Sequence, residues 1–160
     1  MIEARRARAE DVEEVMRLRT VMLSSTTGGG EVATGSWMDN GAAVLHRQLS
    51  HPDDPLGVFV VDRPDEAGLA ACAVGSIDQR LPNPTNPTGL RGYVYNVATD
   101  PAYRRRGFSR ACMTALLEWY AKRGVGVVDL RASPEGEPLY TGLGFTRTKE
   151  PTMRAFIPVS

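Results

Sequence analysis

Cysteine is scarce in this sequence: its 160 residues include only Cys72 and Cys112. Neither belongs to a CxxC pair, and neither stands at metal-ligand spacing from a histidine, so nothing indicates a metal site. Both cysteines lie among apolar residues. We therefore predict two reduced, buried thiols and no bound metal.

Long apolar runs are absent as well. No stretch of about 18 apolar residues occurs, as a transmembrane helix would require. The charged residues 1–11 lack the apolar core of a signal peptide. We therefore expect a soluble, cytoplasmic protein without a membrane partner.

The chain also lacks net charge, because Lys+Arg and Asp+Glu each number 19. A neutral chain argues against general binding to nucleic acid or to anionic membranes. A chain of this length can bury roughly 70% of its unfolded surface without help from a disulfide or a metal. No linker or repeat divides it, so we expect one domain over residues 1–160.

The periodicity of the apolar residues predicts both strands and helices. Helical spacing begins near Asp11, resumes at Trp37 and returns after Ser109, and a short helix is predicted at 137–143. Strand patterns occur at residues 2–5, 57–62, 69–77, 93–99 and 125–130, near 145, and at 154–157. The strand, loop, helix and strand between residues 93 and 130 predict a parallel crossover, and hence a partly parallel sheet covered by helices.

Three consecutive arginines stand between the strand that ends at Thr99 and the helix that begins near Ser109. Residues 104–109, here called the arginine loop, read Arg-Arg-Arg-Gly-Phe-Ser. The first N–H groups of a helix lack intrahelical partners and carry the positive end of its dipole, so a phosphate fits there. Gly107 permits close approach of the backbone, and the arginines add charged donors. Taken alone, the loop predicts a diphosphate site as readily as a solvated, basic helix entry.

Two segments of the sequence resemble the two signature motifs of a known family, and they occur in the same order. Residues 100–109 resemble the acetyl-CoA-binding motif of the GNAT superfamily of N-acetyltransferases, Gln/Arg-x-x-Gly-x-Gly/Ala, and residues 139–145 resemble its second signature, Tyr-x-x-x-Gly-Phe. The resemblance covers essentially Ile2 to Ile157. It implies an α/β (α+β) fold of GNAT type, with a mixed, partly parallel sheet of about six to seven strands and about four flanking helices.

The resemblance also implies which residues bind acetyl-CoA and which residue takes part in catalysis. The backbone of Val97 and Thr99 would pair with the pantetheine arm of acetyl-CoA, and Tyr140 would donate a proton to the CoA sulfur. The diphosphate would be held by the arginine loop: Arg104, Arg105, Arg106, Gly107, Phe108 and Ser109. Ser109 replaces the usual Gly or Ala, and its hydroxyl could cap the helix or reach a phosphate. Ser133 stands where many relatives carry an Asn that contacts the cofactor arm.

The residues do not identify a general base, because the strand at 93–99 carries no carboxylate. Water relayed by Tyr93, Tyr95 or Asn96 is the leading hypothesis, and Asp78 and Glu31 are the alternatives. A phenol of ordinary pKa is a poor base at neutral pH but a suitable acid for a thiolate leaving group.

The predicted function is therefore transfer of acetyl from acetyl-CoA to a primary amine, on a small molecule or at an N-terminal residue. The alternative is a CoA-binding sensor or interaction module that has lost catalysis. Residues 24–37 and 81–91 are the segments expected to select the acceptor, and the glycine-rich part of the first is either a lid or a surface loop. Many relatives form dimers, so the resemblance leaves a homodimer open.

Overall fold

The structure, a computed structural model, describes residues 1–51 and 53–159. These residues form five strands and four α-helices in the order β1 (Arg5–Arg6), α1 (Val12–Thr26), α2 (Ser36–Leu49), β2 (Leu56–Asp62), β3 (Leu69–Gln79), β4 (Leu90–Thr99), α3 (Phe108–Lys122), β5 (Val128–Leu130) and α4 (Glu137–Gly142). The predicted α/β class is confirmed. None of the helices among the described residues is both long and apolar enough to cross a membrane.

The five strands form one mixed sheet in the order β1-β2-β3-β4-β5. Strands β1 to β4 pair antiparallel, and β5 pairs parallel to β4 after the crossover through α3. The predicted crossover and the strands predicted at 57–62 and 69–77 are therefore confirmed. The sheet has fewer strands than the six to seven expected, because the described residues that follow α4 form neither helix nor strand.

Helices cover both faces of the sheet and define two cores. On one face, α1 packs over β3 and β4 with α2 against it, and the core there includes Leu18, Leu45 and Val58. On the other face, α3 packs over the small side chains of Ala71 and Ala73. The approach is so close that a Cβ at Gly75 would lie 2.1 Å from the Tyr120 hydroxyl oxygen. The position of α3 relative to the sheet is thus tightly set.

Both cysteines are free and buried, as predicted. Burial raises the pKa of the Cys72 thiol to about 12, and it also raises the pKa of Cys112. A thiol that stays protonated at neutral pH is a poor nucleophile. These residues therefore act as small apolar side chains of the core.

Candidate active site

Strands β4 and β5 separate part of the way along their length. Their parallel pairing runs only from Gly92 opposite Val128 to Val94 opposite Leu130. Strand β4 continues for five more residues to Thr99, whereas β5 ends at Leu130. Among the described residues, the far half of β4 thus has a strand partner on the β3 side only. Its other edge is open to a ligand that can accept and donate backbone hydrogen bonds.

A β-bulge decides which residues face that open edge. Val74 and Gly75 of β3 lie opposite Asn96 and Val94, so Tyr95 has no opposite residue in the described part of β3. Before the bulge, the Gly92 N–H donates to Val127 on the β5 side at 2.9 Å, and after it the Asp100 N–H donates to Ala70 on the β3 side at 2.8 Å. Because backbone direction alternates along a strand, the groups of residues 97 and 99 face the open edge.

The arginine loop leads from the end of β4 into α3. Gly107 occupies the N-cap with φ +85°, and Arg105 also has a positive φ of 61°. No side chain caps this helix, and Ala111 makes the first turn's backbone bond, to the Gly107 carbonyl at 3.1 Å. The N–H groups of residues 108–110 therefore point out of the helix end, where an anion binds.

Contacts among its own side chains hold this loop against β4. The hydroxyl groups of Thr99 and Ser109 share a short hydrogen bond, and Arg104 Nε donates to the Thr99 carbonyl at 3.4 Å. Arg106 lies over the ring of Phe108, 5.3 Å from its centroid. The side chain of Phe108 is buried, so only its backbone can reach a ligand. Ser109 does not cap the helix; its hydroxyl joins the helix to the strand.

Asp100 fixes the start of the loop, a role that sequence reasoning missed. Its carboxylate accepts hydrogen bonds from Arg17 at 2.6 Å, Arg63 at 2.9 Å and the backbone N–H of Ala102 at 2.9 Å. Burial alone would raise the pKa of Asp100, but these hydrogen bonds outweigh burial, and the pKa lies below its ordinary value. The ionised carboxylate therefore holds α1, the β2–β3 turn and the loop together.

Tyr140 lies on α4, half-buried, with its ring 6.0 Å from the ring of Phe145 in an edge-to-face arrangement. Burial raises the pKa of its phenol, which stays protonated at neutral pH. Ser133 precedes the same helix, and its Oγ accepts the N–H of Gly136 at 3.1 Å. The Ser133 hydroxyl is thus engaged in the turn that begins α4.

The candidates for the general base differ in burial and in hydrogen bonding. Asn96 is buried, and its amide accepts from Arg19 at 3.1 Å and donates to the Cys72 sulfur at 3.5 Å, which leaves it poorly placed to relay water. Asp78 is exposed and paired with Arg80. Tyr95 remains partly open to solvent, at 42% exposure, beside the bulge.

The two loops expected to select the acceptor are both held by internal hydrogen bonds. In the first loop, the Ser24 hydroxyl donates to the Gly30 carbonyl at 2.8 Å, and the Ser24 carbonyl accepts from the Gly29 N–H. The second loop is an Asx turn, in which the Asn83 side chain accepts from Thr85 and Asn86. A cavity of about 420 Å³ lies between the first loop and Arg104.

Comparison with known proteins identifies the family of the chain. The model of the acetyltransferase (GNAT) family matches residues 19–145. A search of curated proteins finds no match.

Solved structures of acetyltransferases share the fold. A predicted acetyltransferase with acetyl-CoA from Clostridium acetobutylicum is 23% identical, with a TM-score of 0.80 over 97% of this chain and 96% of that one. A GCN5-related N-acetyltransferase from Ralstonia eutropha is 26% identical, with a TM-score of 0.79 over 97% and 99%. Glucosamine-6-phosphate N-acetyltransferase from Arabidopsis thaliana is 16% identical, with a TM-score of 0.76 over 98% and 99%. The chain therefore belongs to the GNAT family of acetyltransferases, enzymes that take the acetyl group from acetyl-CoA.

Proposed function

We propose that this acetyltransferase passes the acetyl group directly to a primary amine, on a small molecule or at an N-terminal residue, with Tyr140 as the proton donor. The observation that carries the proposal is the open edge of β4, which leads from the Tyr95 bulge to the arginine loop. A backbone edge that ends at a helix N-terminus suits a long ligand with amide groups along its arm and a diphosphate at one end.

The residues present fit the acetyl donor. The backbone groups of Val97 and Thr99 face the open edge and would pair with the amides of the pantetheine arm. The N–H groups of Gly107, Phe108 and Ser109 and the exposed side chains of residues 104–106 would hold the diphosphate. Ser133 is a weaker candidate for the arm, since its hydroxyl already accepts a backbone N–H.

The chemistry requires an oxyanion donor and an acid. Tyr95, the unpaired residue of the bulge, offers its backbone N–H to the oxyanion that develops on the acetyl carbonyl. As the C–S bond breaks, the Tyr140 hydroxyl donates its proton to the departing sulfur. Its raised pKa keeps that proton in place at physiological pH.

The incoming amine must lose its proton before it attacks. Among the described residues no carboxylate lies on β4, and the phenols of Tyr93 and Tyr95 are the remaining groups of the proposed water relay. Without a base that titrates near neutrality, the rate should follow the fraction of neutral amine. We therefore expect activity to rise with pH without a break below about 8.

The acceptor is a small amine or an N-terminal residue rather than a polycation. The loop between α1 and α2, residues 27–35, contains a single acidic side chain, Glu31. The residues that line the cavity between that loop and Arg104 include Thr20, Ser24 and Ser25, whose hydroxyl groups donate to backbone carbonyls, and none of the lining residues is acidic. A polycationic acceptor would need several carboxylates to replace its lost hydration.

The test combines titration calorimetry with acetyl-CoA and a thiol-release assay over a panel of small amines and short peptides. Binding together with release by one amine class supports the proposal and identifies the acceptor. Binding without release by any amine favours the sensor alternative. Absence of binding contradicts the placement of the donor on β4 and the arginine loop.

A further inference from the structure

Arg19 lies on the face of α1 that packs against the sheet. Val12, Val15 and Met16 are buried on this face, and residues three and four positions apart share one side of a helix. Helical spacing therefore favours an apolar residue at position 19, where the chain has a half-buried arginine instead. A charged side chain in such a position is costly unless another group compensates its charge.

No carboxylate in the described parts of the chain compensates this charge. Arg19 Nη1 donates to Asn96 Oδ1 at 3.1 Å, and this neutral amide is the one hydrogen-bond partner of Arg19 among the described residues. By contrast, Arg17 of the same helix pairs with both Glu14 and Asp100. Arg19 therefore has its position fixed by a neutral group and its charge available to a ligand.

The unused donors of Arg19 are accessible. Among the described residues that are buried or half-buried, only one side-chain polar atom, Arg63 Nε, is both hidden from solvent and without a hydrogen-bond partner. Nε and Nη2 of Arg19 also have no partner, so they must be open to solvent. A guanidinium matches a carboxylate with two parallel N–H donors, and Nε and Nη2 are an adjacent pair of this kind. Arg19 therefore presents a fork of the form that binds a carboxylate.

Arg19 also lies beside the bulge of β4. Asn96, which holds it, directly follows the bulge residue Tyr95. Val94 packs in the core beneath α3, whereas Asn96 two positions later contacts α1 and the Cys72 sulfur, so the bulge turns Asn96 toward Arg19. Burial raises the pKa of Tyr95, and the positive charge of Arg19 opposes this rise, so the guanidinium is near the phenol as well. The cation thus lies next to the place proposed for the acetyl group.

The acetyl donor does not bring a negative charge to this place. Its diphosphate is proposed to lie at the arginine loop, beyond Thr99, and the part beside Tyr95 is the uncharged thioester. An anion that pairs with Arg19 during the reaction must therefore come from the acceptor.

We propose that Arg19 binds a carboxylate of the acceptor, so that the enzyme acetylates free amino acids rather than peptide N-termini. This inference rests on the proposed function, and it decides between the two acceptor classes named there. Because Arg19 lies beside the bulge, the carboxylate must be within a few bonds of the amine that attacks there. An α-amino acid meets this condition, whereas the carboxyl group of a peptide's first residue is already part of an amide.

Transfer to a bound amino acid leaves its carboxylate unchanged. The neutral amine attacks the acetyl carbon, the N–C bond forms and the C–S bond breaks. The attacking nitrogen loses a proton to water, and Tyr140 supplies the proton that the departing sulfur takes, so the products are an N-acetyl amino acid and CoA. Arg19 makes and breaks no bond and acts as a specificity-determining residue. Its positive charge also disfavours the ammonium form of a nearby amine, which increases the fraction that can attack.

The first experiment compares amino acids with their carboxamides in the thiol-release assay. The standard L-amino acids and their amides are assayed in parallel, and kcat/KM is expressed per neutral amine because the two amines differ in pKa. At least one amino acid should exceed its amide by about 10- to 100-fold, the loss typical of a missing charged hydrogen bond. Arg19→Met should remove this preference by slowing only the amino acid, and Arg19→Lys, which keeps the charge without the fork, should restore part of it. The matched variant Arg47→Met, which removes an exposed charge from α2, should retain the preference.

Two results of this assay overturn the proposal. Equal use of amino acids and amides by the native enzyme would show that no carboxylate is recognised. An equal loss for both in Arg19→Met would show that Arg19 only supports Asn96.

The second experiment measures binding without catalysis, so that this inference and the proposed function can fail separately. The protein saturated with CoA is titrated calorimetrically with N-acetyl amino acids and with their amides. The acids should bind about 10- to 100-fold more tightly than the amides, and Arg19→Met should remove the difference. This result without thiol release from any amine would support the carboxylate site and reject the proposed function. Release by amines that lack a carboxylate, unchanged in Arg19→Met, would support the proposed function and overturn the inference.

Discussion

Gly107 and Gly124 offer a matched test of the arginine loop, because they stand at the two ends of α3 with almost the same backbone. Their φ angles are +85° and +77°. A Cβ would meet nothing within 4 Å at Gly124, and at Gly107 it would meet only Ile2 Cδ1, at an ordinary 3.5 Å. Alanine at either position is therefore penalised by backbone conformation rather than by a clash.

The left-handed conformation costs a non-glycine residue about 1–2 kcal/mol. In a chain of this size, each 1 kcal/mol lowers Tm by roughly 2–4 °C. Gly124→Ala should thus lose this stability in thermal melts, and Gly107→Ala should lose less of it, because its free loop can relax. Only Gly107→Ala should also weaken binding, because the free loop can relax its strained φ and must regain it to direct its N–H groups at the diphosphate.

The loss of affinity for acetyl-CoA cannot exceed the strain energy of about 1–2 kcal/mol. The dissociation constant should therefore rise by at most about 5- to 30-fold. Titration calorimetry with CoA and with acetyl-CoA measures the effect directly. Equal dissociation constants for the two variants would refute the reasoning, since they would mean that the conformation at Gly107 has no part in holding the diphosphate. A loss of affinity in Gly124→Ala would show that general loosening of α3 is responsible.

Three further measurements examine the remaining roles. Tyr140→Phe should lower kcat by about 10²- to 10⁴-fold with little change in the KM for acetyl-CoA. The control is Tyr120→Phe, which removes the 3.0 Å hydrogen bond to the Ser76 carbonyl. This control should lower stability by about 1–3 kcal/mol and leave kcat unchanged. Asp100→Asn should lower stability by about 1–3 kcal/mol and raise the KM for acetyl-CoA, whereas Asp62→Asn, whose exposed carboxylate pairs with Arg5 instead, should leave that KM unchanged. The native Tm should fall as pH drops below about 4, because Asp100 and Glu14 have pKa values lowered by folding. Their stabilisation is complete above the unfolded pKa and is lost as pH falls through the folded one, so Asp100→Asn should show a smaller acid-induced loss; an equal loss in both proteins would assign the acid sensitivity to other groups.

The sequence predicts the elements whose signals are local. Strands β2 and β3 follow from their apolar runs, and the crossover through α3 follows from strand and helix periodicity. Each of these depends on residues within a few positions of one another. Local propensity and tertiary packing agree at these places.

The features that the sequence did not predict depend on residues that are far apart in the chain. The carboxylate of Asp100 meets Arg17 and Arg63, which are 83 and 37 residues away in the chain, so no spacing in the sequence indicates the cluster. The bulge at Tyr95 has no glycine or proline to mark it, and a tyrosine is an ordinary strand residue. Yet the bulge decides which backbone groups of β4 face the open edge. The part of the site that depends on backbone direction was therefore accessible only through the family resemblance.

The strand expected at 154–157 shows why a correct local pattern can fail to become structure. The predicted segment contains Phe156 and Ile157, which are typical strand residues, yet the described sheet ends at β5. A strand gains its hydrogen bonds from a neighbour, so its pattern states only that a neighbour is needed. The strand expected at 154–157 is therefore wrong for the described structure, because a periodic pattern carries no information on whether a neighbouring strand lies within reach.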